Sequence, residues 1–468
     1  MTQTQATETA ICWGHRGFAG QVGLARCEIT PPLGIFSRNW GAAPHDQATW
    51  VHRPLWLTAL VFRSESHAPE LVLLEGDLSW WNDLPSWRSF QQELLAALAL
   101  RPEQLWFSLT HTHASPPLAR TPIEGQGGEL VPRWVDQLLQ DSVRLVQQAR
   151  ECAQPAVLQW HTGSCHLAAV RDLPLPGEPG RVACGFSPEE RADATLLVGR
   201  VCTSGGKPLA VLVNYACHPT VLAFENTALS PDFVGAMRKL VEEAYPGALA
   251  VFLQGASGEL APRCQYVGDP RVADRHGRHL GHAVLAVLED MEPPCTELEF
   301  HGVQPSGAPL ALWRHRVAQY PGTLAARVVE VPLELKEQRT AQELEAAYRA
   351  CRDRTERERL RRRLNIVRGF GSSGTWGLPL WLWQVGQSLW AGTMAEPYSL
   401  FQRELRAAVA PWPVVCVNLL NGSVGYLPPE ETYDLDIYQA WQTPFARGCL
   451  ERTIQTAKQE LRKLAGLE

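Results

Sequence analysis

Short runs of consecutive apolar residues punctuate the chain, each of strand length and each ending abruptly in polar or ionisable side chains. They lie at 70–78 (ELVLLEGDL), 104–113 (QLWFSLTHTH), 208–219 (PLAVLVNYACHP), 248–259 (ALAVFLQGASGE), 387–396 (QSLWAGTMAE) and 413–421 (PVVCVNLLN). Strands without polar alternation are covered on both faces, which predicts an α/β fold with a mixed, mostly parallel β-sheet core flanked by helices. Ligands of such sheets bind beyond the carboxyl ends of the strands. The ionisable residues at those ends are Asp77, His111, His113, His218, Glu259 and Glu396.

Helical periodicity fits between the runs. The segment 230–245 opens with Ser230 as N-cap before Pro231 and sets Phe233, Met237, Leu240, Val241 and Ala244 on one face. A second helix over 399–409 places Glu396 in a strand-to-helix turn. The stretch 334–368 is dense in Glu and Arg, with apolar residues at Leu344, Ala347, Leu360, Leu364 and Val367. It predicts a charged helix or helical hairpin, inserted in the domain, whose Arg361–Arg363 run reads as a solvated face, with contact to phosphate or a partner as the alternative. No internal repeat is evident.

Composition narrows the class. The 468 residues are 45% hydrophobic and 20% charged, enough for a large buried core, and the formal charge of −6 offers no basic field for nucleic acid. The polar stretch 1–20 lacks a secretory apolar region and no later segment is long and apolar enough to cross a bilayer, so a cytoplasmic location without a transmembrane segment is expected. The 12 cysteines include no C-x-x-C pair and read as reduced thiols; the 17 tryptophans, among them Trp80, Trp81 and Trp87, read mainly as packing residues.

Candidate chemistry concentrates at the strand ends. In an extended chain the imidazoles of His111 and His113, at i and i+2, project to one face and can reach one ion or one substrate. His218 ends another run, where Pro219 stops the strand, and Glu396 follows a third. Imidazoles and a carboxylate form the N/O donor set of a catalytic zinc site with an open position. His276, His279 and His282, spaced by three without an interleaved carboxylate, read as structural. Ser257 in GASGE half matches a nucleophile elbow but lacks the last glycine, and supports a rival serine-hydrolase reading.

These residues resemble the catalytic domain of the neutral/alkaline non-lysosomal ceramidase family, zinc-dependent enzymes that hydrolyse the amide of ceramide. The segment 23–31 (GLARCEITP) is similar to the family's G-x-x-R-x-D-I-T-P, and the likeness runs to the tyrosine-rich stretch ending near Gly448. The family's T-H-T-H-S-G-P appears as 110–116 (THTHASP), which implies His111 as a zinc ligand and His113 beside the metal as a proton-transfer group. V-H-P-T is matched by Cys217-His218-Pro219-Thr220, and P-G-E by Met394-Ala395-Glu396. The resemblance therefore implies Zn²⁺ held by His111, His218, Glu396 and Tyr426, with Tyr438 and Arg171 facing the substrate.

The departures are also specific. The serine of the family's G-D-x-S-P is Ala261 in Gly258-Glu259-Leu260-Ala261-Pro262, and no counterpart of the ceramidases' extra C-terminal β-sandwich is expected. Water is the nucleophile in such chemistry, so the implied activity is metal-assisted hydrolysis of a small-molecule amide, lipid-like in the family. A non-catalytic metal-binding protein on the same scaffold is the further rival. Length alone allows about three domains, yet ligands at 111, 218, 396 and 426 must converge, which makes 1–468 one catalytic unit.

Overall fold

The computed structural model describes residues 11–64 and 69–467; the first ten residues of the polar N-terminal stretch lie outside them. Strands β1 (Arg16–Glu28), β2 (Trp56–Arg63), β3 (Leu71–Gly76), β4 (Leu105–Leu109), β5 (Gln154–Ser164), β6 (Thr195–Thr203), β7 (Pro208–Tyr215) and β8 (Leu249–Gln254) form an eight-stranded sheet in the order β8-β7-β6-β5-β1-β2-β3-β4. Helices α1 (Leu84–Leu98), α2 (Leu130–Glu151), α3 (Phe233–Ala244) and α4 (Pro270–Glu289) flank it.

The sheet is mixed, as the apolar runs imply, but not mostly parallel. The β3–β4 and β7–β8 pairs at its two ends are parallel, and every pairing between them is antiparallel. The reason lies in the side chains. The parallel pairs are built from uninterrupted apolar runs buried on both faces, whereas β1 (RGFAGQVGLARCE) and β5 (QPAVLQWHTGS) carry Gly, Gln, Arg and His and give no continuous apolar signal.

Topology also reveals a duplication. The series β1-β2-β3-α1-β4-α2 is matched by β5-β6-β7-α3-β8-α4, and the two halves meet at the antiparallel β1–β5 pair. No sequence repeat accompanies it.

The remaining runs supply a second sheet. Strands β9 (Leu324–Glu334), β10 (Thr375–Val385), β11 (Ser388–Thr393) and β12 (Val414–Val417) lie in that order, with β11 and β12 parallel. Tryptophans join the sheets: the rings of Trp106 and Trp383 are 4.7 Å apart. The chain after β12 then ties both ends of the large sheet together. Asn421 N donates to Phe107 O on β4 at 3.0 Å and Asn421 Oδ1 accepts from Phe107 N at 2.8 Å, while Asn418 N donates to Gln254 O on β8 at 3.0 Å. This clamp sets the end of β11, and hence Glu396, beside the ends of β4 and β7.

Two helical details depart from the sequence reading. The N-cap of α3 is Asp232, whose carboxylate accepts from Phe233 N at 2.6 Å, and Ser230 Oγ instead accepts from Asp232 N. The charged insertion is a hairpin of α5 (Ala341–Ala350) and α6 (Arg354–Phe370), closed by a small core of Leu344, Leu360, Leu364 and Val367. Its Arg361–Arg363 run is not a solvated face: the side chains of Arg361 and Arg362 are only 17% and 24% exposed.

Candidate metal centre

Three strand ends build the centre. Beyond β4, Thr110 N donates to Gly76 O and His111 N to Leu78 O, and His111 takes φ +67°, which swings its ring out of the strand path. This turn, rather than the i, i+2 alternation of an extended chain, presents the imidazole. Beyond β7, His218 N donates to Leu260 O at 3.0 Å. Beyond β11, Glu396–Pro397 pairs in parallel with Tyr426–Leu427, which fixes the Glu396 backbone. One ligand atom from each of His111, His218 and Glu396 lies within 4.8 Å of the others, all three residues being buried.

The hydrogen bonds decide what this cluster can hold. His111 Nδ1 lies 3.1 Å from Ser79 O and His218 Nδ1 3.1 Å from Leu260 O. A carbonyl only accepts, so each Nδ1 carries a proton and each ring turns its Nε2 inward, the tautomer in which a neutral imidazole offers a lone pair to a metal. Glu396 Oε2 stands 2.9 Å from His218 Nε2 and 3.3 Å from His111 Nε2, and the latter nitrogen is buried without a hydrogen-bond partner. Acceptors facing acceptors in a buried site fit a divalent cation, and an N₂O donor set suits zinc-like ions.

The other residues singled out by sequence surround this group. The Tyr426 ring stacks on His218 at 6.4 Å, and its hydroxyl accepts from Arg171 Nη2 at 3.1 Å. Burial and the nearby Glu396 push this phenol well above its usual range. Arg171 follows a short antiparallel pairing of Leu260–Pro262 with Ala168–Val170, and its Nη2 also donates to Gly258 O at 2.7 Å. His113 packs 4.8 Å from the His111 ring and between Trp40 and Trp80, each 5.0 Å away, with both ring nitrogens unpartnered. Burial, then the neighbouring His111 and His218, lower its pKa well below the usual imidazole range. Tyr438, on a short helix over Tyr438–Gln442, packs 5.6 Å from the Tyr426 ring.

The centre opens into a cleft with about 830 Å³ of empty space, and here the structure adds residues that sequence reasoning missed. Arg362 of α6 donates to Tyr438 Oη at 3.1 Å and to Asn39 O at 3.0 Å, and its guanidinium lies 5.5 Å over the Trp80 ring. Trp80 thus lines the site, Trp81 borders it from the core, and Trp87 belongs to the core alone. The signal for Arg362 was its place beside the Leu360–Leu364–Val367 stripe, which fixes one flank of α6 against the protein. Nothing in the sequence marked Asn39 or Trp40.

The remaining candidates have structural partners. Ser257 Oγ is buried and accepts from Gln254 Nε2 and Asn418 Nδ2, at 2.7 and 3.2 Å. Asp77 pairs with Arg238, and Glu259 accepts from Ser399 N. On α4, His276 Nε2 bonds Cys264 O, and Gly277 permits close approach to α3: a Cβ there would stand 2.2 Å from Phe233 O.

No family model matches the chain, and no curated protein matches it in sequence. Solved structures do. A neutral ceramidase from Pseudomonas aeruginosa superposes with a TM-score of 0.67 at 16% identity, over 97% of this chain and 75% of that one. A ceramidase described as complexed with C2 gives 0.68, again at 16% identity, over 97% and 76%. Nearly the whole described chain therefore has the neutral ceramidase fold, carried by a sequence that has diverged far from it.

Proposed function

We propose that the protein is a zinc-dependent hydrolase that cleaves a non-peptide amide (C–N) bond, ceramidase-like in mechanism, with residues 1–468 acting as one catalytic unit. The observation that carries this reading is the set of inward lone pairs on His111, His218 and Glu396, each delivered by a different strand end. Tyr426 would complete the ligand set. A zinc ion held there supplies Lewis acidity and lowers the pKa of water towards about 7.

The chain's own residues do the rest. The bonds from His111 Nδ1 to Ser79 O and from His218 Nδ1 to Leu260 O lock both tautomers and ring planes. Arg171 donates to the Tyr426 hydroxyl and so favours its ionised form. His113, neutral because it is buried between indoles, can accept a proton and return it to the leaving amine. Tyr438, oriented by Arg362, is a donor for the carbonyl oxygen or the substrate's polar end. Ala261 contributes no hydroxyl, which alters transition-state support without removing the attacking group.

Among the described residues no helix is long and apolar enough to cross a membrane. A cytoplasmic setting belongs to this reading and is supported by the cysteines, all of which are unpaired. The serine-hydrolase alternative has less support, because the Ser257 hydroxyl meets amide donors where a general base is needed.

Metal analysis of the purified protein tests the proposal, together with hydrolysis of N-acyl amides before and after chelation. One equivalent of zinc is expected. Loss of an outer-shell partner typically weakens metal binding about 10–100-fold, so His111→Ala and His218→Ala should each exceed that and abolish chelator-sensitive turnover. Chelator-resistant turnover, unchanged in both variants, would overturn it.

A further inference from the structure

Three arginines line the cleft beside the metal ligands, and this bears on the substrate of the amide-hydrolase reading, on which the inference rests. Arg361 and Arg362 reach it from α6, and Arg38 from the loop after β1. Arg362 is fully engaged, with Nε on Glu358, Nη1 on Tyr438 and Nη2 on Asn39 O. The other two are not. Arg361 Nη2 bonds Glu358 at 2.9 Å and Arg38 Nη2 bonds Gly41 O at 2.9 Å, yet the Nε of each is buried without a hydrogen-bond partner.

The charge on this wall is similarly unbalanced. Glu358 is shared between Arg361 and Arg362, and Asp83, the other carboxylate there besides the ligand Glu396, is turned away to cap α1 through Ser86 N at 2.8 Å. Buried guanidinium donors without acceptors are costly, and the planar fork of Arg matches carboxylate and sulfonate oxygens. Beyond the Arg362–Tyr438 bond lies a second cleft, walled in part by Trp40, Tyr266 and Trp441, which also borders His113 and Tyr426. The two clefts thus meet at the centre, the second the more aromatic, although Arg171, Arg359 and Arg362 border it too.

We propose that the substrate is an N-acyl amide whose amine part bears an anionic group, carboxylate or sulfonate, held by Arg38 and Arg361, while the apolar acyl part lies toward Trp40, Tyr266 and Trp441. This departs from a neutral amide lipid. It assigns the charged α5–α6 hairpin a role in selecting the substrate.

The zinc-loaded enzyme is assayed on N-dodecanoylglycine, N-dodecanoyltaurine and N-dodecanoylethanolamine, and binding of the same compounds to chelator-treated protein is measured by calorimetry. We expect kcat/KM for at least one anionic amide to exceed that for the neutral one by about tenfold or more, with tighter binding in the absence of metal. Arg38→Met and Arg361→Met should each cut the anionic-to-neutral ratio in both measurements, and Arg361→Lys should restore part of it. The glycine and taurine arms tell carboxylate from sulfonate. Equal or better use of the ethanolamide, or ratios unmoved in both Met variants, overturns the anion site and leaves amide hydrolysis standing. Arginine-dependent binding of the anionic amides with no hydrolysis of any of the three does the reverse.

Discussion

Two clusters of buried ionisable side chains sit at the ends of parallel strands, and they differ in how their donors and acceptors match. Just past β3, Arg238 of α3 donates from Nη1 to Asp77 at 2.9 Å, from Nη2 to Glu75 and Asp77 at 2.9 and 3.1 Å, and from Nε to Ala250 O at 3.2 Å. Asp77 further accepts from Trp56 N at 3.0 Å. The chain supplies both signs of charge, and of the carboxylate oxygens only Glu75 Oε2 is left without a hydrogen-bond partner. At the ends of β4, β7 and β11, His111, His218 and Glu396 turn two imidazole nitrogens and one carboxylate towards one another with no arginine or lysine among them, a set that could hold a metal ion. Buried charge at a strand end is therefore not by itself a functional signal; the mismatch of donors and acceptors is.

The largest expected effect attacks the Arg238 cluster. Arg238→Met leaves Glu75 and Asp77 buried without their cation, and breaking a buried pair in this way costs about 3–5 kcal/mol. Chemical denaturation should show that loss with and without bound metal, and adding Glu75→Gln and Asp77→Asn should recover part of it. A near-neutral Arg238→Met would erase the distinction between the clusters.

A smaller effect comes from Glu358, which has features of both. It is 10% exposed, and its carboxylate is held by two guanidiniums of the cleft wall. Burial alone would raise its pKa, but Arg362 and Arg361 bring it down from 4.5 to about 2. A depressed folded-state value means the unfolded chain takes up the proton first. The stabilisation is therefore complete above 4.5 and is lost as pH falls towards 2, up to about 3 kcal/mol in all. The stability gap between wild type and Glu358→Gln should shrink as pH is lowered through that window; a constant gap would show that the carboxylate is not charge-paired in solution.

How much of this was legible in the sequence follows from the same physics. The six apolar runs are the members of three parallel pairs, β3–β4, β7–β8 and β11–β12, and burial on both faces leaves an unbroken apolar signal. His111, His218 and Glu396 were legible because they end those runs. The antiparallel centre was not: β1 and β5 mix glycine and polar residues, so neither continuity nor strict alternation marks them. Nor was the duplication, which survives in connectivity alone. Asn39 and Arg362 meet only when α6 docks over the strand ends, and no local pattern in either segment encodes that contact.

The smallest effect is also the one whose sign separates the two clusters most sharply. Glu396→Gln replaces an acceptor-only carboxylate by an amide whose NH₂ can donate to an inward Nε2. At pH 8 His218 is neutral, its pKa being drawn to about 4 by burial and by Arg171, so a lone pair awaits that donor. The metal-free variant should gain about 1 kcal/mol over the metal-free wild type, the net worth of one hydrogen bond. Its metal affinity should fall at the same time, because a charged ligand has been lost. Removing a charge from the Arg238 cluster destabilises the protein; removing one here should stabilise it until metal is added, and then reverse the order. Loss of stability in the metal-free Glu396→Gln protein at pH 8 would mean that the carboxylate is paired by the chain itself, and that the two clusters are of one kind.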